Sequence, residues 1–315
     1  MVLFFNAVQV ILRNILTGYY RITVRPSDDF DRNLLYKMVW DRRPILEILN
    51  EKVASRQYVQ SVAPEVPLAH RYFQTKNLSE IDWESLPRNF VIKASHGSGG
   101  VLLVHDGAPL KNRLPKNYKK FGWRKYEIHP DNFEREIAIK IFSRLLSKTY
   151  GQGLNRGGPE WAYWHNNHYV IIEDFLSLHG RMPVSIVFNI VHGELKLIIW
   201  AQVHYPRLGA AESLPSRVIV PPVDIAEISK ELQIPTESLK EMIDCSIQIS
   251  GDMDTLRVDW LICDNGFFFN ELTNYCGGGV LKGKHYYKAM SDMWRPKRSD
   301  YQQLVAGEAQ KNDYY

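Results

Sequence analysis

The chain has 315 residues, 45% of them hydrophobic, 23% charged and 12% aromatic, an ordinary globular composition with enough apolar side chains for a full-sized core in two lobes or one large α/β unit. The net charge of +4 is mild and its basic residues are spread, which argues against a nucleic-acid binder; the short run Lys111, Arg113, Lys116, Lys119 and Lys120 reads as a solvated loop or lid. Cys245, Cys263 and Cys276 lie far apart with no CxxC spacing, so neither a zinc site nor a disulfide framework is expected, and reduced thiols point to the cytoplasm.

In chain order, residues 1–20 are apolar but interrupted by Asn6, Gln9, Arg13 and Asn14, too broken for a spanning helix and without the basic start of a signal peptide. Val2, Phe5, Val8, Leu12 and Leu16 recur at helical spacing, which predicts an amphipathic helix packing on the protein body or lying at the inner face of a membrane. Helices are expected over 30–60, broken at Pro44, and turns over 61–88, where Pro64, Pro67 and Pro87 stand. Asn89–Ala94 and Val101–Val104 read as a hairpin around a glycine-rich loop. Phe133, Ile137, Ile141 and Leu145 predict a helix over 131–149 opened by Asp131 or Asn132. A strand over 169–176 follows, then a hairpin 185–191/195–201, a proline-bearing loop at 206–222 and two helices within 224–250. Leu256–Cys263 and Phe267–Thr273 close the pattern as a hairpin turned by Asp264-Asn265-Gly266. Hairpins mixed with helices indicate an α+β chain of antiparallel sheet, not a βαβ repeat.

Two segments carry chemistry. Lys93 ends a strand and precedes Ser95-His96-Gly97-Ser98-Gly99-Gly100. Glycines let backbone N–H groups approach an anion and the lysine adds fixed charge, so the segment fits polyphosphate as well as it fits a plain glycine turn. It is neither a Walker A loop nor a dinucleotide fingerprint, because the lysine precedes the glycines and Leu102 stands where a third spaced glycine is needed. In the last hairpin, the period of two puts Arg257 and Asp259 on one face and Glu271 and Thr273 on one face of the partner strand. Carboxylates facing each other among apolar residues need a cation, either Arg257 or a magnesium ion shared with substrate phosphates.

Together these segments resemble the ATP-grasp superfamily, in particular its teichuronopeptide-biosynthesis-type (TupA-like) branch, over residues 41–279. The resemblance implies an α+β ATP-grasp fold whose two lobes of antiparallel sheet sandwich ATP. Residues 1–88 would be a helical leading region, 89–175 the central lobe, 176–290 the C-terminal lobe with the metal site and 291–315 a tail. Lys52 and Lys93 are similar to the two phosphate lysines, and Ser95–Gly100 to the mobile loop over the phosphates. Glu173, Asp174, Phe175 and Leu176 are similar to the hinge at adenine, with Glu173 meeting the base. Arg257 would face the transferring phosphoryl group as a catalytic residue together with Lys93, and Asp259, Glu271 and Thr273 would hold Mg2+. Gly277-Gly278-Gly279 would lie at the substrate's reacting end, and His96, His129, Lys282, Lys284 and His285 are candidates to flank the acceptor. Two departures stand out: Thr273 replaces the asparagine of Glu-x-Asn, with Asn274 one residue later, and Arg181–Ser185 lacks the branch's Asp-Tyr-Lys group, whose contact must come from elsewhere or be missing.

The implied activity is ADP-forming ligation of an amine or amino acid to a carboxylate, with ATP and Mg2+ as cofactors and a uronic acid of a cell-surface polysaccharide as acceptor. Two rivals are a kinase acting on a glycan hydroxyl and a non-catalytic ATP-binding module. Cys276 is expected to be incidental.

Overall fold

Asp29 accepts the backbone N–H of Arg32 and opens helix α1 (Phe30–Trp40) in a computed structural model that describes residues 26–151, 160–279, 290–297 and 301. Pro44 precedes the short α2 (Ile45–Asn50), and Glu51 then caps α3 (Lys52–Val62), accepting from the N–H groups of Val53 and Ala54. The helix expected over residues 1–20, and Lys282, Lys284 and His285, lie outside the described residues.

Among the described residues ten strands form two five-stranded sheets. In the first, β1 (Arg71–Thr75) is the edge, followed by β5 (Val170–Asp174), β2 (Phe90–Ala94), β3 (Val101–Val104) and β4 (Lys125–Ile128). In the second the order is β10 (Gly266–Thr273), β9 (Thr255–Cys263), β6 (Val184–Val191), β7 (Glu194–Arg207) and β8 (Ala210–Ile219). The chain is thus α+β, as its pattern implies. One expectation is corrected: β3 and β4 run parallel, Val101 facing Lys125, so the first sheet is mixed and not purely antiparallel. A second correction concerns 206–222, which is largely strand and not loop. There Pro215 falls at a register break on the edge strand β8, where its missing N–H removes no ladder bond from a central strand.

The helix α4 (Arg135–Leu146) begins later than expected. Residues Pro130–Asn132 make a separate 3-10 turn held by the His129 ring, which accepts the Asp131 N–H, and Glu134 precedes the helix without a side-chain cap. Ile141, Phe142 and Leu145 pack under the first sheet with Ile92, Leu102 and Ile172. Under the second sheet, Met38, Leu46 and Val59 of α1–α3 join Met242 and Ile249 of α6 (Thr236–Ser250) against Phe188, Val258 and Trp260. Preceding α6 in the chain, α5 (Ile225–Leu232) is capped by Asp224. Each sheet therefore buries one face on helices, and the alternate side chains of both sheets are left to line a shared cleft. Among the described residues no helix is long and apolar enough to cross a membrane.

Candidate active site

The β9–β10 hairpin places the acidic residues. Asp259 pairs with Glu271 and Arg257 with Thr273 across it, so all four stand on the face turned away from Val258, Trp260 and Leu272 of the core. A bulge between Phe269 and Glu271 leaves Asn270 as an extra residue, which turns Asn270 and Glu271 toward the cleft together. Arg257 donates to both oxygens of Asp259, at 2.7 and 2.6 Å, and reaches Glu271 at 3.4 Å. Burial pushes the Asp259 carboxyl up against the pull of Arg257, and repulsion from Glu271 adds to it. For Glu271 burial acts in the same sense, yet Lys125, Lys52 and Arg257 outweigh it and hold the carboxyl down to about 2.

Facing these groups, the first sheet supplies cations. Lys93, on β2, is ion-paired with Glu173 of β5, and Arg56 of α3 reaches the same carboxylate at 2.6 Å. Burial, only partly offset by Glu173, lowers Lys93 to about 8. Lys52, the first residue of α3, donates its backbone N–H to Ser95 O of the glycine loop at 3.1 Å, and its Nζ donates to Gly97 O at 2.5 Å. Glu173 is thus paired with two cations, and it lines the cleft as well.

Within the loop, Gly97 and Ser98 face the site, whereas Ser95 is buried, accepting the Tyr169 N–H and donating to Asn167 O. Gly99 and Gly100 have φ of +97° and +64° and pack on Trp123, so they shape the loop from behind. The His96 ring points away from the cleft as well. It stacks on His168 at 3.6 Å and donates from Nε2 toward Leu145 O and Lys148 O at the end of α4. The expected role of His96 at a nucleotide or acceptor is therefore replaced by a structural one. His129 likewise caps a surface turn beside Asp106 and Asp131.

The cleft between the sheets has a volume of about 460 Å³. Its apolar end gathers Val91, Leu103, Phe175 and Met182, with Leu176 beside them, and the Phe175 ring stacks on His105 at 4.3 Å. The Asp174 carboxylate there accepts from the Tyr72 hydroxyl. At the polar end stand Lys52, Lys93, Lys125, Arg257, Asp259 and Glu271. A second cavity of about 250 Å³ adjoins it, sharing Lys52, Arg257, Glu271 and Gly277. Asn50, Ser98, Thr273 and Tyr275 also line this chamber. Two buried polar atoms, Asn50 Nδ2 and the Tyr275 hydroxyl, find no hydrogen-bond partner among the described residues. Thr273 thus belongs to the chamber, and Asn274 is turned inward, donating to Leu46 O and Asn50 Oδ1. Cys276 is buried, its thiol pushed up to about 11 by that burial, which suits no nucleophile.

The fold brings Lys52, Lys93, Gly97, Ser98, Arg257, Asp259, Glu271 and Thr273 to two adjoining cavities, with Phe175 and Leu176 at the far wall of the larger. Sequence reasoning missed Lys125, Asn270, Arg56, Asn50 and Tyr275. Only Asn270 left a local sign, since the run Phe267-Phe268-Phe269-Asn270-Glu271 breaks the period of two.

Neither a family model nor a curated protein matches the chain. Among solved structures it is similar to a D-alanine–D-alanine ligase from Bacillus anthracis, at 14% identity and a TM-score of 0.41, over 78% of this chain and 66% of that one. It is also similar to an L-amino acid ligase from Bacillus licheniformis, at 12% identity and a TM-score of 0.43, over 86% of this chain and 53% of that one. A third is the ATP-grasp ligase PsnB with a phosphomimetic precursor variant, Mg and ADP, at 9% identity and a TM-score of 0.43, over 79% of this chain and 59% of that one. The chain spans about two thirds or less of the length of these proteins.

Proposed function

We propose that the chain is an ATP-grasp ligase that uses Mg-ATP to activate a carboxylate for attack by an amine, with ADP and phosphate released. The observation that carries this reading is a single cleft with an apolar end at Phe175 and Met182 and, at the other, lysines from one sheet opposite paired carboxylates from the other. A flat, partly apolar base and a polyanionic tail need those two environments side by side.

The residues fit magnesium with a triphosphate. Asp259 and Glu271 face each other on adjacent strands, and burial with mutual repulsion pushes the Asp259 carboxyl up even with Arg257 on both its oxygens. Among the described residues no group of three or more His, Cys, Asp or Glu could hold a metal, so a magnesium ion here would take its remaining ligands from phosphate and water. Magnesium with ATP would supply an electrophilic phosphoryl group to the acceptor carboxylate, making it an acyl phosphate. The chain's own share is positioning and charge neutralisation. Lys52 and Lys93 hold the anionic tail, while Arg257, once released from the carboxylates, meets negative charge at the junction of cleft and chamber. The chamber itself takes the acceptor, with Asn50 Nδ2 and the Tyr275 hydroxyl as its waiting polar contacts. Its volume of about 250 Å³ suits one sugar acid or amino-acid unit, consistent with the uronic-acid end of a cell-surface polysaccharide.

The test is release of ADP and phosphate with Mg-ATP across uronic acids and amino acids, in wild type, Lys93→Ala and Glu271→Ala. Turnover requiring both a carboxylate and an amine, and lost in both variants, is expected. Turnover supported by a hydroxyl compound alone would make the protein a kinase, and ATP binding without any turnover would make it a silent nucleotide module.

A further inference from the structure

We propose that Lys125 is a third phosphate-binding lysine, entering the cleft from the edge strand β4 to receive the nucleotide's phosphate nearest the carboxylate pair. This rests on the nucleotide reading of the cleft given above.

The first observation is position. In the first sheet Ile171, Lys93, Val101 and Lys125 form one row across β5, β2, β3 and β4, so Lys93 and Lys125 stand two strands apart, with backbones roughly 10 Å from each other. Lys93, Val101 and Lys125 all line the same cleft, so the two ammonium groups arise from one wall and can bracket an extended anion lying across it.

The second observation is the inventory of partners. Lys93 is paired with Glu173, Arg257 with Asp259, and Lys52 donates to Gly97 O. Lys125 forms no ion pair with any described residue; its Nζ lies 5.6 Å from the centroid of the Tyr205 ring, near the limit of a cation–π contact. An ammonium inside a cleft, with an aromatic face as its partner, gains from any anion that arrives. On the second sheet its neighbours are Tyr205 of β7 and Gly209, whose N–H donates to Lys125 O at 3.1 Å, and neither is an anion.

Lys125 also lines the same cleft as the Asp259–Glu271 pair, where a magnesium-bound phosphate would sit.

Binding to the full-length protein tests this by calorimetry with Mg-bound non-hydrolysable ATP analogue, ADP and AMP as probes. Lys125→Gln and, as a second neutral variant, Lys125→Met are expected to weaken the triphosphate about tenfold or more while leaving AMP within about twofold, and Lys125→Arg is expected to recover most of the loss. Unchanged triphosphate affinity in both neutral variants overturns the proposal. So does a parallel loss for AMP, which would make Lys125 a support for Tyr205 and not a phosphate ligand. Failure of the wild type to bind any of the three overturns the nucleotide reading itself, and is thereby told apart from failure at Lys125 alone.

Discussion

Two buried charge clusters lie on the second sheet's side of this molecule, and they are built on opposite terms. Near the start of β9, Lys37 and Arg43 meet Asp41 and Asp254 in a closed set: Lys37 to Asp41 at 2.7 Å, Arg43 to Asp41 at 2.6 Å and to Asp254 at 2.8 Å, with Lys37 also on Asp254. Trp294 and Tyr301 donate to the remaining Asp254 oxygen, which ties the C-terminal segment to α1. Burial works against Asp254, but Lys37 and Arg43 hold it down to about 2. In the cleft, by contrast, Asp259 is driven up, Arg257 spans two carboxylates, and Lys125 has an aromatic ring where a carboxylate would serve. A cluster whose charges are all answered is a fastening; one whose charges are left partly unanswered is prepared for a ligand.

The largest expected effect comes from opening the fastening. Asp254→Ala leaves Lys37 and Arg43 sharing Asp41 alone in the interior, at a cost of about 3–5 kcal/mol of unfolding free energy by denaturant titration. A loss below ~1 kcal/mol would erase the distinction between the clusters. The complementary change, Glu271→Gln, is expected to lower turnover by about a hundredfold or more while costing less stability than Asp254→Ala, because Arg257 keeps both oxygens of Asp259. Large destabilisation there would make Asp259–Glu271 another fastening.

Next in size is the glycine loop. A Cβ at Gly99 would lie 2.4 Å from Trp123 O in a backbone with φ +97°, so Gly99→Ala is expected to cost about 1–3 kcal/mol and to weaken nucleotide binding by displacing Gly97 and Ser98. A variant melting with the wild type would mean that the loop does not lean on Trp123. A further effect is a pH dependence. Burial, with His168 adding, holds His96 down to about 3, whereas an unfolded histidine titrates near 6.5. The unfolded chain then binds the extra proton, so this contribution to stability is full above about pH 6.5 and is lost as pH falls from there toward 3. His96→Phe should flatten that decline in denaturant midpoints; parallel curves would contradict the buried, neutral ring.

Much of this was legible in the sequence where local rules decide. The β9–β10 hairpin followed from Asp264-Asn265-Gly266, and its period of two correctly put Arg257, Asp259, Glu271 and Thr273 on one side. The glycine loop and Lys93 were equally plain. What stayed hidden depends on partners distant in sequence. β4 is four residues long, follows a basic loop and pairs in parallel, so nothing nearby marked Lys125 as a cleft residue. The β8 strand was masked by its proline, and the bulge at Asn270 broke the alternation that an outward-facing residue would have kept. For His96 the residue type suggested a ligand contact, but tertiary partners took its Nε2. Asn50 and Tyr275 meet only because α2 packs against the end of β10.

The most direct test of the central claim is trapping an activated carboxylate with hydroxylamine in the presence of Mg-ATP. Hydroxamate formed from a uronic or amino acid, at a rate matching ADP release and absent in Glu271→Gln, is the predicted result. ADP release with phosphate transferred to a hydroxyl and no hydroxamate, or no nucleotide bound at all, would contradict it.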